Sequence, residues 1–208
     1  MSPSAPRSLD AADAIRRLER YHDEVVERFG LCPWAKHARA AGRTRVHVVV
    51  SPEPGDTIGE VVRSWVADDA IDVAFVIAPW FTDGFEALEV WGHTLRSMSE
   101  DAFFVAAFHP GAPPTAGTVR FFRQTPDPTI QLIRRTRLEE VRAADPSHYQ
   151  DIFTLTLDDL QRPPAASIAT TVLAHNESTL TREGRPTIQT ILDNIQADKR
   201  GQSPFTKG

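Results

Sequence analysis

Ile71-Asp72-Val73-Ala74-Phe75-Val76-Ile77-Ala78 is almost continuously apolar and stops at Pro79-Trp80-Phe81. A strand with one wet face alternates apolar and polar residues. An unbroken apolar run of this length fits a strand covered by helices on both faces. On one side of it, Thr44 to Val50 (TRVHVVV) is β-branched and reads as a second strand, ending at Ser51-Pro52. On the other, Ala102 to Phe108 is a third apolar run, ending at His109-Pro110. Thr57 to Ala67 sets Ile58, Val61, Val62 and Trp65 on one helical face, after a Pro54-Gly55-Asp56 turn. Asp83 is the expected cap of a helix through Met98 with Phe85, Leu88, Trp91 and Leu95 inward. The class is therefore α/β: a βαβαβ core with a three- or four-stranded, mostly parallel sheet covered by helices.

The flanks are read in the same way. Residues 1–8 are Ser/Pro-rich and expected to be disordered, with a single α/β domain over 9–162. Within it, Asp10 to Phe29 carries Ala14, Leu18, Tyr21, Val25, Val26 and Phe29 at helical spacing. Val119 to Phe122 is expected as a short edge strand, and Pro126-Asp127-Pro128 as the start of a helix to about Ala144. Tyr149 to Leu157 fits strand or helix, and Gln161-Arg162-Pro163-Pro164 marks a boundary. A C-terminal helical extension over 163–198 follows, as two helices around Gly184-Arg185-Pro186, then a flexible tail over 199–208.

Composition limits the function. The 208 residues are 41% hydrophobic, with a formal charge of −5 and a pI near 5.8, which disfavours a general nucleic-acid binder. Residues 1–10 hold no apolar signal-peptide core, and no run approaches a membrane span. The lone cysteine excludes an internal disulfide and fits a reducing compartment, so the expected location is cytoplasmic. Expected partners are a small anionic ligand and a second copy in a homo-oligomer, with no nucleic acid and no membrane. No P-loop or GxGxxG motif occurs, and the residues specify no cofactor.

That cysteine stands in Gly30-Leu31-Cys32-Pro33-Trp34-Ala35-Lys36. Gly30 sits where a helix C-cap glycine belongs, and Pro33 suits the first position of the next helix. Cys32 then takes the N-cap, near free N–H groups and the positive end of a helix dipole, where a thiolate is favoured. The alternative is a small buried apolar residue, as lone cysteines usually are. In parallel sheets ligands bind beyond the strand carboxyl ends, here Ser51, Trp80 and His109. His109, held between a strand and a proline, is the candidate acid or base for Cys32, the alternative being a hydrogen-bonded strand-end histidine. Arg120, Arg123, Arg134, Arg135 and Arg137 cluster in sequence, and guanidinium groups suit an anion. A solvated, salt-bridged helix face is the blander reading of that cluster. Trp34 and Trp80 flank the site as pocket walls, whereas Trp65 and Trp91 belong to the core. His22, His47, His93, His148 and His175 are scattered and read as surface or filler residues. Cys32, His37 and His109 are ligand types that zinc accepts, but no CxxC, HxxxH or HExxH spacing supports a metal site.

The motifs GLCPWAK, AAFHP and PDPTIQLIRRTRLEEVR resemble those of a small bacterial family called domain of unknown function 1415. Its pattern is similar to G-x-C-P-F-A-K, then S-F-H-P, then N-R-x-P-Y-P-x-L-H-L-L-R-E, and the resemblance runs from about Ala11 to Leu160. Carried over by position, it implies that Cys32, Pro33 and Lys36 belong to the first motif, His109 and Pro110 to the second, and Pro126, Pro128 and Arg134 to the third. Trp34 replaces a phenylalanine, Asp127 a tyrosine and Gln131 a histidine. Arg123 meets the motif arginine with one inserted residue before Pro126.

Together these readings give catalytic candidates Cys32 and His109. Trp34, Lys36, Trp80, Arg123, Arg134 and Gln131 are the ligand-binding candidates, with no metal ligand among them. The leading expectation is a cysteine-dependent enzyme acting on a small anionic metabolite, with Arg123 and Arg134 as the anion clamp. The alternatives are a binding protein that docks a partner through the C-terminal extension, and a Cys/His metal protein.

Overall fold

The computed structural model describes residues 11–50, 57–113, 121–144 and 168–201. Helix α1 (Ala11–Tyr21) continues into a π-helical segment (His22–Glu27), followed by α2 (Pro33–Ala40). Then come β1 (Thr44–Val48), α3 (Thr57–Ala67), β2 (Val73–Ile77), α4 (Phe85–Met98) and β3 (Phe103–Phe108). Strand β4 (Thr129–Arg134), α5 (Arg135–Ala144), α6 (Ile168–Glu183) and α7 (Arg185–Gly201) complete the order. The expected 1–8 terminus, Ser51, the 54–56 turn, Val119, the ambiguous 149–157 stretch and the 161–164 boundary lie outside the described residues.

The α/β class and the βαβαβ order hold, and the sheet has four strands in the order β1-β2-β4-β3. Strand β1 runs parallel to β2, while β4 runs antiparallel to both β2 and β3. The three strands of the βαβαβ unit thus point one way, and a reversed strand separates β2 from β3. This strand corrects the expected helix from Pro128. Ile130 and Ile133 stand at helical spacing, but Thr129, Ile130 and Ile133 are β-branched, and all six β4 residues are buried. The open hydrogen-bonding edges of β2 and β3 settle the competition, because a buried backbone must find partners. Helix begins only at Arg135. Phe121 and Phe122, expected in an edge strand, are buried instead as a helical residue and the turn that follows it. The cap of α4 is Gly84 at φ +90° rather than Asp83.

Two apolar layers enclose the sheet. Val73, Phe75 and Ile77 face α1, the π segment, α2 and α7. Ala74, Val76, Ile130, Leu132 and Phe103 face α3 and α4, where Trp65 is buried. The C-terminal helices expected as an extension belong to the first layer. Leu180, Ile188, Leu192 and Ile195 are buried there, and α7 packs along α1. The tail expected from residue 199 is also corrected at its start, since α7 runs to Gly201.

Reversing β4 has a further consequence. Arg134 ends β4 opposite Phe103, at the amino end of β3 and far along the sheet from His109. Its Nε donates to Ile71 O at 2.6 Å, and its Nη2 donates to Trp65 O at 2.6 Å and Asp68 O at 2.8 Å. Its guanidinium also lies over the Phe103 ring, 4.8 Å from the centroid. These bonds cap the free carbonyls at the end of α3, so Arg134 is no anion clamp. Arg134→Met should lower stability by about 3 kcal/mol, since buried charge-assisted bonds are lost. The measurement is the urea midpoint at unchanged slope, with Cys32 alkylation unaltered; a change under about 1 kcal/mol would contradict the capping role.

Candidate functional site at the strand carboxyl ends

The turn holding Cys32 has the local geometry its sequence specifies. Gly30 adopts φ +62°, and the Leu31 N–H reaches back to Val26 O at 2.9 Å, closing the preceding helix. Cys32 is the N-cap of α2 with φ −145° and ψ 92°, and Pro33 occupies the first helical position. The cysteine is half-buried against the α1 layer. Tyr21, one layer below, donates its hydroxyl proton to Phe122 O. Burial pushes the Tyr21 phenol up, the Arg123 guanidinium draws it down and Cys32 pushes it up again. Tyr21 therefore stands within electrostatic range of both.

His109 joins the same turn from β3. Its backbone N–H donates to Arg123 O at 2.9 Å, while the Tyr21 hydroxyl holds the preceding carbonyl. The Arg123 side chain lies 6.0 Å from the Phe108 ring centroid and 3.9 Å from Glu89. On the imidazole, Nδ1 accepts the Gly111 N–H at 2.9 Å. The neutral ring must then carry its proton on Nε2 and present it as a donor. Burial lowers the His109 pKa, the Lys199 ammonium lowers it further, and Glu86 opposes both. In this form His109 offers an Nε2–H hydrogen-bond donor, and its acceptor nitrogen is already engaged by Gly111. Tyr21 and His109 thus grip adjacent carbonyls of one segment, and Tyr21 lies within electrostatic range of Cys32.

Sequence reasoning missed the charged group beside them. Asp127 is buried at the start of β4, where its backbone carbonyl accepts the hydroxyls of Thr125 at 2.7 Å and Thr129 at 2.8 Å. Its Oδ2 accepts Arg17 Nε at 2.7 Å, and Lys199 Nζ lies 2.8 Å from Oδ1. Oδ1 has no hydrogen bond of good angle, so the Lys199 contact is an ion pair rather than a directed bond. Lys199 also donates to Pro79 O at 3.4 Å. A signal for these residues existed. Arg17 stands between Ala14 and Tyr21 on the buried stripe of α1, and Lys199 continues the Ile188, Leu192, Ile195 stripe of α7.

The remaining candidates separate. Trp80 is half-buried at the end of β2, its ring 6.3 Å from that of Trp91, and its Nε1 proton has no partner. Trp91, expected in the core, is half-buried and stacks on Phe81 with ring planes 10° apart. Lys36 is exposed on α2, and the side chain of Trp34 lies outside the described part. Gln131 is buried in the middle of β4 opposite Phe75 and Ala106, away from the strand ends. No group of three or more His, Cys, Asp or Glu side chains that could hold a metal occurs among the described residues. No described helix is long and apolar enough to cross a membrane.

A model of the family described as Protein of unknown function (DUF1415) matches residues 13–162. The chain belongs to that family. Neither the curated proteins nor the solved structures contain a match. The DUF1415 segment includes Arg17, Cys32, His109, Arg123 and Asp127, whereas Lys199 comes from beyond it.

Of the two readings of His22, surface or filler, the structure excludes the surface one. It is buried in the π segment with its ring 4.8 Å from that of Phe75. Burial, and secondarily the Arg39 cation, push its pKa down to about 4, with Asp23 opposing. The unfolded chain binds this proton more tightly, so the neutral ring stabilises the fold fully above pH 6.5. That contribution, about 3 kcal/mol, is lost as pH falls from 6.5 through 4. His22→Phe should flatten the stability profile across that window, as measured by urea unfolding at pH 4 to 7. An unchanged slope would show that His22 is not the responsible group.

Proposed function

We propose that the chain is a cysteine-dependent enzyme for a small anionic metabolite, bound at the strand carboxyl ends. The observation that carries this reading is that Cys32 and Arg123 both act electrostatically on Tyr21, while Tyr21 and His109 bond the successive carbonyls of Phe122 and Arg123. Cys32 is the nucleophile, supported by its N-cap position before Pro33. His109 stabilises a developing oxyanion through a hydrogen bond from its neutral Nε2–H. Arg123 replaces the expected Arg123–Arg134 pair as the clamp, and Trp80 forms a wall. A single cysteine supports a reducing, cytoplasmic setting.

The test needs no substrate. Native protein and an unfolded control are alkylated with iodoacetamide across pH, which reports one thiol because the chain has one cysteine. The expected apparent pKa in the native protein lies at least about one unit below the free value of about 8.5. Arg123→Gln should move it back toward that value. A normal or unreactive native thiol would sink the nucleophile and leave a non-catalytic anion-binding protein as the better reading.

A further inference from the structure

We propose that Gly111 is a positioning residue of this site: its lack of a side chain, rather than its backbone freedom, lets its N–H hold His109 as an Nε2–H donor. The inference rests on the reading of His109 as that donor and adds the residue that makes it one.

His109-Pro110-Gly111-Ala112 is a four-residue turn. The Ala112 N–H donates to His109 O at 2.9 Å, closing it from first residue to last. Pro110 stands second, where its fixed φ is suited, and Gly111 stands third. A glycine is needed at the third place when the turn requires a positive φ. The described glycines with positive φ are Gly30, Gly42, Gly84 and Gly184, and Gly111 is not among them. Its backbone therefore gives no reason for a glycine.

The imidazole gives one. His109 Nδ1 accepts the Gly111 N–H at 2.9 Å, a bond to the backbone two residues on that Asn and Asp more often make in turns. A Cβ on Gly111 would lie 3.2 Å from Nδ1 and 3.4 Å from Cε1, inside comfortable packing distance. Its chain neighbours aside, it would meet only this ring within 4 Å. The His109 backbone cannot retreat, because its N–H donates to Arg123 O at 2.9 Å and its carbonyl accepts Ala112. The ring must then swing away from the N–H that it accepts, and the bond weakens. Burial and the Lys199 ammonium favour a neutral ring and Glu86 opposes them, whereas the Gly111 bond selects which nitrogen stays bare. A side chain at position 111 frees Nδ1 to take the proton, which turns Nε2 from donor to acceptor.

The experiment records nitrogen–proton correlation spectra of the His109 ring in the full-length chain across pH, since ring nitrogen shifts separate the two neutral tautomers. His109→Gln assigns the signals. The native ring is expected to carry its proton on Nε2. Gly111→Ala is expected to populate the Nδ1–H tautomer and to raise the His109 pKa by about half a unit or more, because a bond donated to Nδ1 favours the neutral ring. Gly111→Ser brings the same Cβ and should act alike. Gly111 is exposed, so neither change enters the core. An unmoved tautomer and pKa in both variants would overturn the proposal, even with a lower urea midpoint, while sparing the donor reading. A native ring protonated on Nδ1 would overturn both.

Discussion

A strand buried on both faces must also satisfy both of its hydrogen-bonding edges, and β4 is how this protein meets that requirement. It fills the space between β2 and β3 and bonds to each along its length. Its reversed direction fixes the rest. Asp127, preceding it, arrives at the carboxyl ends of the other three strands, while Arg134, at its far end, reaches the carbonyls that terminate α3. One six-residue strand thus carries a carboxylate to the site and an arginine away from it.

Asp127 then organises what surrounds it. A buried carboxylate without partners would cost several kcal/mol, so α1 supplies Arg17 and α7 supplies Lys199. Those pairs tie the first and last described helices to the start of β4. Arg20 reinforces the tie through Glu24 and Asp198, and Gln124 and Gln189 exchange amide bonds nearby at 3.4 and 3.3 Å. The C-terminal helices are consequently part of the folded core, and their buried stripe is already occupied by α1.

The chemistry of the site follows from the same packing. Tyr21 and His109 hold successive carbonyls at Phe122 and Arg123, and that grip fixes the turn to α1 and to the end of β3. His109 is kept neutral by burial and by Lys199, and the Gly111 bond selects the tautomer that donates. The ring therefore presents an Nε2–H hydrogen-bond donor, which differs from the thiolate–imidazolium partner that residue types alone suggest.

Local sequence determined the elements whose cause is local. The apolar run at 71–78, the Gly30 cap with φ +62°, the Cys32 N-cap before Pro33 and the stripes of α1 and α7 all follow from side-chain period and backbone preference. The position of His109 at the end of a strand was legible for the same reason. Tertiary structure alone decided that TIQLIR is a strand, because its partners Val73 to Ile77 and Phe103 to Phe108 lie far away in the chain. It alone sent Arg134 and Gln131 away from the site and brought Arg17, Asp127 and Lys199 to one point. Ion pairs spanning more than 70 residues leave no period in a sequence: what selects them is the cost of burying a charge, and that cost exists only once the chain has folded.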